Sequence, residues 1–460
     1  MNLEHLHDWF DRHHVNIVRT QVTSLDGPSL GKYLNREKFF HSIEKGHYMS
    51  DLALAMDITG SPHLTFWHEF RESAFGDICI KPDLGTLQTD GRDPDLGHCI
   101  ANYVMKDGSA INICPRTFLQ NMVDALKKEG FTAKTSCEIE FMLFGESFSQ
   151  ARETDYKVLT PLGASENTNI YLLKNAYHVK PFMDKVIENL NWRGIGWEGW
   201  NDENERGQVE LNLIPHDPVT MADNVVRVKQ LLYETAVDMG LSLTFMPKMN
   251  NKLPTGMHIH HSLLSDGQPV FYDEKSSDGR SDLLKRWLGG LMSCLPATVS
   301  FLCPTINSYR RMVDFTAPPT RAAWGEENKS AAFRLITRSP SLARIESRLP
   351  AADANPYLAM GVIFASGLFG LKHNLQPPAE YHRLAWSASE GELEKLPNTI
   401  TSAAEVLLKD TRLREIIGQE VIEYWVHSRR LEWINFQTES GAPYSREVTD
   451  WEYQRYFELV

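Results

Sequence analysis

The sequence is short of several things, and each shortage narrows the chemistry. Cysteine is scarce, six in 460 residues, and Cys79, Cys99, Cys114, Cys137, Cys294 and Cys303 show neither a CxxC pair nor Cys/His zinc spacing. A disulfide scaffold and a structural zinc site are thereby excluded. Basic excess is missing too. The formal net charge is -13, which speaks against nucleic acid as a main partner, because phosphate binding needs a basic face. The start, Met1-Asn2-Leu3-Glu4-His5, has no basic region followed by an apolar run, so it does not read as a signal peptide. The longest apolar stretch, Pro356 to Leu371, is interrupted by glycines and falls short of the ~20 residues a membrane helix needs. There is no internal repeat and no low-complexity tract. The expectation is a cytoplasmic protein with reduced thiols and no membrane partner.

What is present is an ordinary globular composition, 42% hydrophobic and 23% charged, in a chain too long for one simple core. Residues 1–113 read as a small α+β unit. It has partial alternation over 16–22, a turn at Asp26-Gly27-Pro28, a strand or loop from Gly31, and a helix from Arg36 to Lys45 stopped by Gly46. A hairpin is expected about Lys106-Asp107-Gly108, with residues 103–105 and 110–113 as its arms. Pro115 marks a boundary and suits the first turn of a helix over 117–129. Strands are expected at 134–144, 244–247 and 257–264, and a long amphipathic helix within 217–240. Beyond Pro356 the chain reads as mostly helical, with a loop-rich stretch at 376–400. The expected division is 1–113 and 114–460.

The segment Cys137-Glu138-Ile139-Glu140-Phe141 carries the strongest chemical signal. Residues two apart in a strand share a face, so Glu138 and Glu140 point one way and Ile139 and Phe141 the other. Two adjacent carboxylates repel unless a cation lies between them. Glu203 and Glu210 bracket the turn Gly207-Gln208, where glycine lets both carboxylates reach one ion, with Asp202 and Glu205 as alternatives to Glu203. His258 and His260 share another strand face, and Glu346 lies in Arg344-Ile345-Glu346-Ser347-Arg348. Five carboxylates and an imidazole suit two hard divalent cations, and such a pair suits phosphoryl transfer from ATP.

In this order, with Asn307-Ser308-Tyr309-Arg310-Arg311, Trp324-Gly325-Glu326-Glu327-Asn328-Lys329-Ser330 and Ala354-Asn355-Pro356, these segments resemble the glutamine synthetase family over about residues 110 to 371. Those ligases activate the γ-carboxylate of glutamate with ATP. The resemblance implies an α+β fold with a small N-terminal β-grasp-like domain and a large catalytic domain on a curved antiparallel sheet. It implies two or more Mg²⁺ or Mn²⁺ per subunit on Glu138, Glu140, Glu203, Glu210, His258 and Glu346. Glu198, His260, Ser262, Lys329, Arg334 and Arg344 fall to ATP, and Gly256, Arg311 and Arg348 to glutamate. Arg311, Lys329 and Arg348 act in catalysis, since arginine forks and lysine charge stabilise a transferring phosphoryl group. A ring-shaped homo-oligomer with sites between subunits is also implied.

The departures bear on the second substrate. Ammonia-using members carry a glutamate before the Ala-Pro that follows the arginine segment; here Thr316 precedes Ala317-Pro318, with Asp314 nearby but shifted. A hydroxyl cannot supply the charge that holds a small cation. The family's early Asp-Gly-Ser-Ser is replaced by Tyr48-Met49-Ser50-Asp51-Leu52, Lys329 stands for the usual arginine, and no adenylylation tyrosine is recognisable at 396–400. The metal positions survive while the ammonium positions do not, which fits a synthetase joining glutamate to a small organic amine. Asp51, Asp314 and Thr316 are the amine-pocket candidates, and Phe66-Trp67-His68, Phe315 and Trp324 a candidate apolar wall. The alternatives are a glutamine synthetase proper, an inert scaffold relative, a guanidino kinase or a glutamate–cysteine ligase.

Overall fold

Among the described residues, partial alternation in the first hundred becomes a six-stranded sheet. Its strands are β1 (Ile17–Thr23), β2 (Ser29–Asn35), β3 (His47–Ser50), β4 (Asp77–Pro82), β5 (Gln88–Thr89) and β6 (Leu96–Val104). They lie in the order β2-β1-β6-β4-β3 with β5 on β6, and β1 runs parallel to β6. The computed structural model describes residues 3–62, 75–164, 169–249 and 252–460. The helix Arg36–Lys45 forms as expected: the Asn35 side chain accepts from the Lys38 N–H at 2.8 Å, and Gly46 ends it at φ 71°. The expected hairpin shrinks to one bridge between Val104 and Ala110, because the chain turns at once into the helix Pro115–Lys128.

The second sheet has nine strands: β7 (Thr132–Phe144), β8 (Trp197–Asp202), β9 (Gln208–Leu213), β10 (Ser242–Thr244), β11 (Met257–Ser265), β12 (Gln268–Pro269), β13 (Trp324–Glu326), β14 (Phe333–Ile336) and β15 (Arg344–Ser347). The order is β13-β14-β15-β11-β7-β9-β8, with β10 on β7 and β12 on β11, and β13–β14 is parallel. The sheet curls into a half-barrel. The strand expected at 244–247 lies earlier and ends at Thr244, whose hydroxyl takes the Met246 N–H, while Pro247 has none to give a ladder. Cys137, Ile139 and Phe141 of β7 are wholly buried on the convex side, where the helix Pro218–Asp238 packs.

The apolar stretch that falls short of a membrane span is a core helix. Pro356–Lys372 begins at an Asn355 cap with proline in its first turn, and nearly every residue in it is buried. It crosses the helix Asp282–Leu302 at Gly370 and Gly290, where a Cβ on either glycine would fall within 2.6 Å of the other's backbone nitrogen. Among the described residues no helix is long and apolar enough to cross a membrane. Arg116 ties the two sheets' regions together, donating to Asp83 at 2.8 Å and to Asp223 at 2.9 Å.

Candidate active site

Strand register assembles the site. His258 of β11 stands opposite Glu138 of β7, Glu140 opposite Glu210 of β9, and His260 opposite Glu346 of β15. Arg334 of β14 is opposite Glu346 in turn. All of these face the hollow of the curl. Directly opposite residues have Cβ atoms ~5 Å apart, so the ladder itself delivers an acidic cluster. His261, next along β11 after His260, points the other way and accepts the Trp287 indole N–H at 2.9 Å; burial pushes its pKa down to about 3, a neutral core histidine.

The loops complete the cluster. Gly207, at φ 80°, turns the chain so that the Glu203 N–H reaches the Gln208 carbonyl at 3.0 Å. Glu203 and Glu210 then line one cleft of about 280 Å³ with Glu138, Glu140, His258 and Glu346, whereas Asp202 and Glu205 do not line it. Gln208 and the Gly256 N–H both donate to Glu140 Oε2, at 3.1 and 2.8 Å. A Cβ at Gly256 would stand 3.3 Å from both Arg311 and His258, so only glycine leaves that floor open.

The electrostatics call for cations. Burial, and then Glu138, Glu140 and Glu203, push the Glu210 carboxyl up to about 9; burial and Glu140 push Glu203 up to about 7. Burial also works against the charge on Glu138, but hydrogen bonds from His258 at 2.8 Å and His260 at 3.0 Å outweigh it and hold its carboxyl low. Burial opposes Glu346 as well, yet Arg348 and the two histidines bring it to about 2. Ligand atoms of Glu138, Glu210 and His258 lie within 4.8 Å of one another, and so do those of Glu138, His260 and Glu346. Two groups sharing Glu138, rich in carboxylate oxygen, fit two adjacent hard divalent cations. His260 thus stands in the acidic cluster, with Glu138 and Glu346.

The cationic side is equally defined. Arg311 is buried and donates to the Leu349 carbonyl at 2.6 Å. Arg348 pairs with Glu346, and Arg334 bridges Glu346 at 2.8 Å and Glu327 at 3.0 Å. Among the described residues the buried Nε–H groups of Arg311 and Arg348 have no hydrogen-bond partner. Lys329 reaches the same cleft exposed.

Other expected residues lie elsewhere. Glu198 is exposed on β8; Ser262 sits on β11 opposite Lys134; Arg344 donates to His260 Nδ1 at 3.3 Å from outside the cleft. Asp51 is buried beneath the N-terminal sheet region in the short helix Asp51–Leu54. Asp314 is taken by Arg321 at 2.9 Å and by Thr320, which together outweigh burial and lower its pKa. The Thr316 hydroxyl donates to the Val313 carbonyl at 2.7 Å. Trp324 is no cleft wall: it is 5% exposed, its indole donates to Pro378 at 2.9 Å, and Arg280 covers its ring. Residues 66–68 lie outside the described residues. Reading the sequence missed Tyr171 and Trp386, both in the cleft lining; Trp386 lies in the loop-rich stretch, where no periodicity marks it.

The family model described as glutamine synthetase, catalytic domain, matches residues 112–456. Among curated proteins, gamma-glutamylethanolamide synthetase GlnA4 of Streptomyces coelicolor is 28% identical over 100% of this chain and 96% of its own. Glutamate–isopropylamine ligase of a Pseudomonas species is 26% identical over 98% of this chain and 97% of its own. Type-1 glutamine synthetase 2 of Dictyostelium discoideum is 28% identical over 96% of this chain and 84% of its own. The solved structure described as a GmaS/ADP complex superposes with a TM-score of 0.82 at 21% identity, covering 97% of this chain and 98% of that one.

Proposed function

The chain belongs to the glutamine synthetase family of ligases, and from that premise we propose that it joins the γ-carboxylate of L-glutamate to a small organic amine, most simply an alkylamine, at the expense of ATP. The observation that carries the reading is the cleft wall after Arg311. Its lining is Ala317, Pro318 and Trp386, while the nearby Asp314 and Thr316 are turned to other partners. Among the described residues no carboxylate lines this wall to hold a small ammonium ion, and an apolar substituent meets apolar atoms there. The names of two relatives, an ethanolamide synthetase and an isopropylamine ligase, support the same class.

The residues divide the work. Glu138, Glu140, Glu203, Glu210, His258 and Glu346 would hold two Mg²⁺ or Mn²⁺ ions, with His260 beside the second group. When bound, these neutralise the developing charge on the transferring phosphoryl group. Arg311 and Arg348 orient the glutamate carboxylates through their free Nε–H groups. A γ-carboxylate oxygen attacks the γ-phosphorus, ADP leaves, and Lys329, Arg334 and Arg348 stabilise the equatorial oxygens. A neutral amine then attacks the γ-carbonyl of γ-glutamyl phosphate, and phosphate leaves with the bond pair. Alkylamines are protonated at neutral pH, with pKa values of ~10, so one proton must be lost before attack. A ring-shaped oligomer and the division of the chain near residue 113 belong to the same proposal.

The test is phosphate release from ATP, Mg²⁺ and L-glutamate with ammonia, methylamine, isopropylamine, ethanolamine, putrescine and aniline, with product mass read in parallel. A γ-glutamylamide formed with one organic amine ahead of ammonia is the expected result. Preference for ammonia returns the chain to glutamine synthesis.

A further inference from the structure

Trp386 stands in the short helix Ala385–Ser387, within the loop-rich stretch. Two anchors fix it. Its indole N–H donates to the Pro318 carbonyl at 2.9 Å, and the neighbouring Ala385 N–H donates to Ser330 Oγ at 2.8 Å. Pro318 follows the loop that leaves Arg311; Ser330 follows Lys329. The indole therefore spans the gap between the glutamate-binding arginine and the phosphate-side lysine, and it lines the cleft with both.

The loop it grips is unusual. Phe315 and Ala317 have φ of 63° and 84°, a left-handed backbone that L side chains rarely adopt. Such strain persists where surrounding contacts enforce it, and it gathers at functional sites. Phe315 is 64% exposed, yet its ring lies 5.9 Å from that of Trp386. Core packing does not explain an aromatic held this far into solvent. The backbone twist turns Thr316 back on Val313 and leaves Ala317 and Pro318 facing the cleft.

We propose that Trp386 determines which amine the enzyme accepts, its indole forming the wall against which the amine's carbon substituent lies, with Phe315 guarding the entrance. This rests on the ligase reading above and names the residue that enforces it. The chemistry favours an amine with a compact apolar tail: the ring buries carbon, and its face attracts an ammonium group on approach.

The experiment compares kcat and KM for ammonia, methylamine, ethylamine and isopropylamine, and separately for glutamate and ATP, in the wild type and in Trp386→Ala, Trp386→Phe and Phe315→Ala. In Trp386→Ala the KM of the best alkylamine should rise by about 10-fold or more, as for lost methylene contacts in an apolar pocket, with the KM of ammonia, glutamate and ATP within about two-fold. Trp386→Phe keeps an apolar ring without the N–H and should fall between. Phe315→Ala alters an exposed side chain and should raise the alkylamine KM less than Trp386→Ala. A loss shared equally by ammonia and alkylamines, or one confined to the KM of glutamate or ATP, would make Trp386 a positioning residue for the Lys329 turn and overturn the proposal. So would unchanged amine ratios. If Trp386→Ala does not fold, Trp386→Phe and Phe315→Ala decide alone. Failure of the ligase reading shows separately, in the wild-type series, as ammonia ahead of every alkylamine.

Discussion

On one side of the cleft Glu138, Glu140, Glu210, His258 and Glu346 stand on hydrogen-bonded strands; on the other, Ala317 and Pro318 stand on a loop and Trp386 on a single short turn of helix, held by scattered side-chain bonds. The difference has a physical consequence. A strand side chain keeps its face only while the register holds, and a slip of one residue would turn Glu138 and Glu140 into the core and bring Ile139 out. The acidic wall is therefore fixed as a unit by the same ladder that folds the sheet. The loop wall lies outside that ladder, so one residue there can change without shifting the register that sets the strand carboxylates. A fold that keeps most of its acidic cluster on strands and an apolar cleft wall on loops can vary the second while holding the first.

The largest effect should come from the strand wall. Glu138 belongs to both candidate ion groups, so Glu138→Ala should lower ATP-dependent phosphate release by about 10³-fold or more, with every amine and with hydroxylamine, since a bound metal supplies several kcal/mol to such a transition state. Retained activity would remove the assignment. Arg311→Lys comes next. It keeps a charge but loses the fork, and should cut kcat/KM for glutamate by roughly 10- to 100-fold, the cost of one charge-assisted hydrogen bond, with the ATP KM little changed. An equal loss on ATP would place Arg311 on the nucleotide instead.

The strand wall was legible for the reason it is rigid. Period-two spacing alone makes Glu138 and Glu140 neighbours on a face, and His258 and His260 on another. The cross-strand pairing of those faces, His258 with Glu138 and His260 with Glu346, was not readable, because register is set by long-range pairing. Helix starts with a proline in the first turn lay close to where expected, at Pro115, Pro218 and Pro356; side chains of Asp217 and Asn355 cap the last two, while Cys114 gives the first no side-chain cap. Strand ends did not: the expected hairpin arm at 110–113 gave way to a helix start, and the strand expected at 244–247 stops at Thr244. Trp386 was invisible for the opposite reason to Glu138. Nothing local marks a loop tryptophan as cleft lining rather than filler, and Trp324, which looked the better wall, is locked into the interior by Pro378 and Arg280.

A third prediction separates the walls by pH. In the metal-free protein Glu203 and Glu210 hold protons that the unfolded chain, with carboxyls near ~4.3, has already lost. Both folded values are raised, to about 7 and about 9. Their contribution to stability is full below about pH 4 and is lost as pH rises through 7 and then 9. With a chelator, Tm should therefore decline across pH 5 to 9, and Glu210→Gln should flatten the upper part of that decline. Mg²⁺ at ~100 times its Kd should add about 2.7 kcal/mol, and should flatten the slope as well. A chelated protein whose Tm does not fall over this range would mean that the acidic wall is not electrostatically loaded.

The smallest effect belongs to Asp314, and it tests whether the loop wall contains a base. Asp314 lies two residues from Thr316, near where a proton-accepting glutamate would be expected. Its carboxylate instead receives Arg321 at 2.9 and 3.1 Å and the Thr320 hydroxyl, and these contacts hold its pKa below the ordinary carboxylate range. A group so engaged is a weak base and a poor acceptor for an amine proton. Asp314→Asn should then cost what a partly exposed ion pair costs, about 0.2–1 kcal/mol of stability, with kcat for the best amine within about three-fold and the acid limb of its pH profile unmoved. A shifted acid limb, or a loss that grows as the amine becomes more basic, would put the base on the loop after all. In that outcome proton removal and substrate choice would share one wall, and the separation of chemistry from selectivity would fail at the amine step while still holding for phosphoryl transfer.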